Sequence, residues 1–132
     1  MDINALIEKA HSTAKEKGFW DKERNTGELL MLIVSELAEA LEADRKQRHC
    51  TLNSTELELG VLLSKNVKHE QKKEAYIDYY NNNIKGTFEE EIADTFIRLF
   101  DLVGGKNINI TDHIILKMRF NETRERLHGK KY

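Results

Sequence analysis

Between Leu29 and Arg45 the chain reads L-L-M-L-I-V-S-E-L-A-E-A-L-E-A-D-R, a run that only a helix can use. Its apolar residues Leu29, Leu30, Ile33, Leu37, Ala40 and Leu41 recur at the spacing of one helix face. At about 100° per residue, Glu36 projects inside that apolar arc, between Leu29 and Ala43. Glu39, one turn on, falls just past the edge of the arc beside Leu32. A bare charge costs several kcal/mol or more to bury, so Glu36 must meet a cation, keep its proton or bind a metal. A second acidic pair follows in F-E-E-E-I-A-D-T-F-I-R-L-F, where Glu91 and Asp94 stand three residues apart on another strongly helical stretch.

The rest of the composition agrees with a helical chain. There is no proline, and there are only seven glycines in 132 residues, which favours helices joined by short loops. That length suits one domain, 1–132, with no linker or internal repeat to divide it. Apolar residues make up 39% and charged residues 33%, so a lone copy would have a modest core and the chain is expected to share apolar surface in a homo-oligomer. The net charge of −2 gives no reason to expect a nucleic-acid polymer or an anionic membrane as partner. No run approaches a membrane span, the N-terminus lacks a signal-peptide pattern, and a single cysteine, Cys50, allows no disulfide within the chain. Together these features fit a soluble protein of the reducing cytoplasm.

In chain order, Ile3, Leu6, Ile7, Ala10 and Ala14 predict a first helix to about Lys17, capped by Asp2 and ended by Gly18. Phe19 and Trp20 sit in the loop ahead of the central helix, which runs from about Thr26 to Gln47. Residues 51–85 read as helical, with a short helix in T-E-L-E-L-G-V-L-L-S, a polar one in K-H-E-Q-K-K-E-A-Y-I-D-Y-Y, and a turn at N-N-N-I-K-G. Thr87 and Glu90 form a capping-box signature for the next helix. Ile92, Ala93, Phe96, Leu99, Phe100 and Val103 make its apolar face, and Gly104-Gly105 close it. Glu91, Asp94, Arg98 and Asp101 line the opposite side as a polar stripe that reads as solvated. Thr111 or Asp112 then caps a last helix carrying Ile114, Ile115 and Met118. The expected architecture is all-α, an antiparallel four-helix-type bundle completed by oligomerisation.

Two pairs of carboxylates on two helices offer hard, oxygen-only ligands, the kind that suit Mg²⁺ or, as a substitute, Mn²⁺. Lys117, Asn121 and Arg124 fall at i, i+4 and i+7 of the last helix. From Lys117 to Lys131 six Lys or Arg stand against two Glu, a local balance of 6 − 2 = +4. An acidic metal site with a basic strip is what a polyphosphate needs. No activated serine or cysteine is visible, which leaves water as the nucleophile.

The stretches G-F-W-D-K-E-R-N-T-G-E-L-L-M-L-I-V-S-E-L-A-E-A-L-E-A-D-R, F-E-E-E-I-A-D-T-F-I-R-L-F-D-L and I-I-L-K-M-R-F-N-E-T-R-E-R-L-H-G-K-K resemble the MazG-type all-α nucleoside triphosphate pyrophosphohydrolases. The resemblance covers roughly residues 18–48 and 86–131. It implies a Mg²⁺-dependent homodimer or homotetramer that cleaves a nucleoside triphosphate between the α and β phosphates, releasing monophosphate and pyrophosphate. It also implies that Glu36, Glu39, Glu91 and Asp94 bind metal and activate water, that Lys117, Asn121 and Arg124 face the phosphates, and that Trp20 lies near the base. Ser35 stands where many members carry a second acid, and the stretch between Glu39 and Glu91 is longer than in compact relatives, so the resemblance implies a helical insertion at about 51–85. A phosphoribosyl-ATP pyrophosphohydrolase is a cousin with similar motifs. Two other readings compete: a non-catalytic helical interaction module with merely solvated stripes, and a di-iron bundle built on Glu8-x-x-His11 and Glu125-x-x-His128.

Overall fold

The computed structural model describes residues 2–52 and 70–126. Among these all regular structure is helical: α1 (Ile3–Glu16), α2 (Thr26–Arg45), α3 (Glu70–Asn83), α4 (Phe88–Gly105) and α5 (Ile110–Glu122). The all-α class expected from the lack of proline is therefore the class observed. The short helix expected in 55–64 lies outside the described residues. No helix among them is long and apolar enough to cross a membrane.

Helix boundaries follow local chemistry. Asp2 caps α1, its carboxylate accepting the Ala5 N–H at 2.8 Å. Beyond α1 the chain turns at Gly18, whose φ of +80° only glycine adopts without strain. Asn25 accepts the Glu28 N–H at 2.9 Å, satisfying one of the orphan donors at the start of α2. The turn expected over N-N-N-I-K-G is shorter than that stretch: α3 continues through Asn81, Asn82 and Asn83, and the reversal falls on residues 84–86, where Gly86 has φ +72°. Thr87 Oγ1 accepts the Glu90 N–H at 3.4 Å, but the Glu90 carboxylate reaches back to the Gly86 N–H, one residue beyond the usual reciprocal bond. At the last helix the cap is Asn109, not Thr111 or Asp112. Its side chain accepts from the Asp112 N–H and donates to the Asp112 carboxylate.

The chain divides into two compact units, residues 1–29 with 97–132, and residues 30–96. In the second unit α2 buries Ile33, Glu36, Ala40 and Ala43, and the start of α4 buries Thr87, Glu91 and Thr95. Two expectations are corrected here. Glu36 does lie in the buried face of α2, but Leu30, Leu37 and Leu41, placed by periodicity on that same face, are about half exposed. On α4 the supposedly solvated stripe is turned inward at Glu91, while Phe96 and Leu99 of its apolar arc are exposed. Periodicity identifies the two faces of a helix, but not which one meets a neighbour.

Candidate functional site

Glu36 from the middle of α2, and Glu91 and Asp94 from the first turns of α4, bring carboxylate oxygens within 4.8 Å of one another. Among the described residues this is the one group of three or more acidic, histidine or cysteine side chains that converge in this way. Glu36 and Glu91 are 6% and 8% exposed, and Asp94 is half-buried. The three-residue step from Glu91 to Asp94 puts both on one side of α4. Placement near the helix start sets Glu91 at the positive end of the α4 dipole, which favours its anion. Burial works against that and is the largest influence, pushing the Glu91 carboxyl above its ordinary range. The charges of Glu39, Glu90, Glu36 and Asp94 push it further the same way.

Glu39 is exposed and stands outside the converging group, yet of the neighbouring charges its influence on Glu91 is the largest. Ser35, where a further acid would extend the site, donates its hydroxyl to the Leu32 carbonyl at 2.7 Å. It is satisfied by its own helix.

The two helices that carry the acids are tied at one end. Past α2 the chain turns through Gln47, a non-glycine residue at φ +53°, and the Arg48 carbonyl accepts the Phe88 N–H at 2.9 Å. Glu89 accepts the Cys50 N–H at 2.8 Å, and its other oxygen lies 3.0 Å from His49 Nδ1. These donors hold the Glu89 carboxyl below its ordinary range, the Cys50 N–H foremost. His49 Nε2 also lies 3.4 Å from Asp44. On the other side of the helix start, the Tyr80 hydroxyl of α3 donates to Glu90 at 2.8 Å. Burial, followed by that bond, pushes the Tyr80 hydroxyl well above its ordinary range. Helix α3 thus reaches α4 through Tyr80. Neither His49 nor Tyr80 was singled out by sequence, because their partners lie many residues away and no short spacing marks them.

In the other unit, Trp20 donates its indole N–H to Asp101 at 2.9 Å, and His11 Nδ1 lies 2.8 Å from the same oxygen. The two rings meet edge to face at 5.0 Å. The indole lies so close to Gly105 that a Cβ there would come within 2.1 Å of it, and His11 crowds Gly104 in the same way at 2.8 Å. The Gly104-Gly105 pair expected as a helix stop is thus a seat for two rings. Trp20 is anchored by packing and by a hydrogen bond. His11 is engaged with Asp101 rather than with an acid of a di-iron pair, and His128 lies outside the described residues. Lys117 and Asn121 are exposed on α5, and Lys117 lies 4.8 Å above the Phe120 ring. Arg124 is exposed too, 5.8 Å from that ring, but α5 ends at Glu122, so the three residues do not share one helix face as the i, i+4, i+7 spacing suggested.

Comparisons with protein-family models, with curated proteins and with solved structures give no match to this chain.

Proposed function

We propose that the chain is a Mg²⁺-dependent pyrophosphohydrolase of the MazG type. In this reading it cleaves a nucleoside triphosphate between the α and β phosphates and works as a homodimer or homotetramer. The observation that carries the reading is the convergence of Glu36, Glu91 and Asp94 from two helices, two of them buried. Acids that repel one another inside a fold gain from a divalent cation, and an all-oxygen donor set suits Mg²⁺ before Zn²⁺ or copper. Glu36 and Asp94 are the ligands of this proposal, and Glu39 joins them from the rim. When bound, the cation supplies a Lewis acid for phosphate oxygens. Glu91, whose surroundings favour its proton, is suited to take one from an attacking water. Lys117, Asn121 and Arg124 are assigned to the phosphates and Trp20 to the base, from the resemblance of their motifs.

The test is a screen of nucleoside triphosphates with and without Mg²⁺, following pyrophosphate and phosphate separately. Pyrophosphate released with the monophosphate, only when Mg²⁺ is present, is the expected result. Stepwise release of single phosphates would refute α–β cleavage. Calorimetry without nucleotide binding in the presence of Mg²⁺ would favour the interaction module instead.

A further inference from the structure

Glu90 precedes Glu91 on α4 and lies four residues before Asp94. Around the helix it is about 40° from Asp94, against about 60° for Glu91. By position it is as well placed as Glu91 to join the converging acids, yet it stands outside that group. Its carboxylate is engaged elsewhere. One oxygen accepts the Tyr80 hydroxyl at 2.8 Å, and the other accepts the Gly86 N–H. Tyr80 acts on both bonds. Its carbonyl accepts the Ile84 and Lys85 N–H groups at 2.9 and 3.0 Å, which shapes the reversal that presents the Gly86 N–H. The ring is seated against Tyr76, one turn earlier on α3, with centroids 6.1 Å apart. Burial and the Glu90 bond push the Tyr80 hydroxyl well above its ordinary range, and the charges of Glu90 and Asp94 add to this. The hydroxyl therefore stays a donor wherever these acids are ionised.

We propose that Tyr80 is a positioning residue that withholds Glu90 from the cation and so sets the metal preference of the site. The inference rests on the functional reading above, in which Glu36 and Asp94 hold a divalent cation. Magnesium binds through a few carboxylates and keeps several waters, whereas calcium takes about six to eight oxygen ligands in a looser shell. Selection between the two turns on how many carboxylates reach the ion and how freely they move. A further acid on the Asp94 side, free to swing, would favour calcium. The same acid tied to Tyr80 and Gly86 contributes its charge without its oxygens. That charge is felt at Glu91, whose carboxyl it helps to push upward, and it attracts either cation alike. Of the two ties, the hydroxyl of Tyr80 is the one that a substitution removes without touching the backbone.

Calorimetric titration of the full chain with MgCl₂ and with CaCl₂, in the absence of nucleotide, tests it. Tyr80→Phe removes the hydroxyl and keeps the ring. Ca²⁺ should then bind about fivefold or more tighter than to wild type, the scale of coupling between residues in contact, while Mg²⁺ changes less. Glu90→Gln alone should weaken both cations alike. Tyr80→Phe with Glu90→Gln should return the ratio of the two dissociation constants to its wild-type value, because the released side chain no longer carries a charge. A brace that only holds the turn would not produce a gain that depends on Glu90. An unchanged ratio in folded Tyr80→Phe overturns the proposal, and so does a gain that survives in the double variant. If Tyr80→Phe does not fold by circular dichroism, Glu90→Gln decides. An unchanged ratio there supports a withheld Glu90, and a loss of Ca²⁺ affinity relative to Mg²⁺ shows that Glu90 is already a ligand and overturns it. A wild type that takes up neither cation removes the metal site and the functional reading with it, whereas Mg²⁺ uptake with a ratio insensitive to Tyr80→Phe removes only the role of Tyr80.

Discussion

Asp101 and Glu91 are carboxylates on one helix, α4, with opposite surroundings. Asp101 accepts the indole N–H of Trp20 and faces His11 Nδ1, both within 2.9 Å of one oxygen. Glu91 is met by burial and by the charges of Glu39, Glu90, Glu36 and Asp94. An acid surrounded by donors is part of the scaffold, because its partners would be stranded without it. An acid surrounded by acids carries a cost that the fold alone does not repay, which is the arrangement a cation site requires. Residue type, helix and partial burial do not separate the two. The neighbours do.

The largest effect expected from this contrast is catalytic. Asp94→Asn keeps the shape of the side chain and removes a charge that pushes the Glu91 carboxyl upward. Mg²⁺-dependent pyrophosphate release should fall by more than the ~10–100-fold that changes behind a ligand cost, with the protein still folded. Undiminished release would place the site elsewhere. The scaffold acid should behave in reverse. Asp101→Ala strands the Trp20 N–H and the ring of His11, and should lower stability by about 2–3 kcal/mol in chemical denaturation. Stability unchanged in that variant would end the distinction drawn above.

A smaller effect, with opposite sign, is expected at Glu91. Its carboxyl holds a proton above the ordinary carboxylate range, so the folded state binds more protons than the unfolded one between the ordinary and the raised value. Stability of the metal-free protein should therefore decline as pH rises through that window. Glu91→Gln should flatten the decline and stabilise the protein by about 1 kcal/mol at neutral pH, the scale of a screened contact between like charges. Thermal melts across pH in the presence of a chelator check both. A metal-free wild type that gains stability over the same window would show that cation partners outweigh the acids around Glu91.

How much of this was legible follows from the kind of signal each residue leaves. Helices with strong local patterns were readable: α1 from Asp2 and its apolar spacing, α2 from its run of leucines, the start of α4 from Thr87 and Glu90. Glu36 was readable as buried because it interrupts an apolar arc. Glu91 was not, since a polar stripe on an amphipathic helix has the same pattern whether it faces water or another acid. The Asn109 cap was hidden by Thr111 and Asp112, equally good candidates within three residues. The anchors Tyr80, His49 and His11 were illegible for a different reason. Each is defined by its contacts with a residue on another helix, and nothing in local spacing records those contacts.

Glu89 tests whether the contrast is graded, because it combines donors with exposure. It accepts the Cys50 N–H and faces His49 Nδ1, as Asp101 does with Trp20 and His11, but its side chain is 43% exposed. Its carboxyl is held below the ordinary range by the Cys50 N–H first. The unfolded chain therefore binds the proton more tightly. The stabilisation is present in full above the ordinary carboxylate range and is lost as pH falls through the depressed value. Solvent screening keeps it to a few tenths of a kcal/mol, the scale of exposed ion pairs. Glu89→Gln should cost that much at neutral pH and nothing once acid has protonated the wild-type carboxyl, with the difference shrinking in high salt. Hydrogen exchange at the Cys50 amide is the sensitive readout, because that N–H loses a charged acceptor. Exchange at Cys50 as slow in the variant as in wild type would mean that Glu89 does not hold the strap between α2 and α4. The Arg48 carbonyl to Phe88 N–H bond would then be the tie that sets Glu36 opposite Glu91.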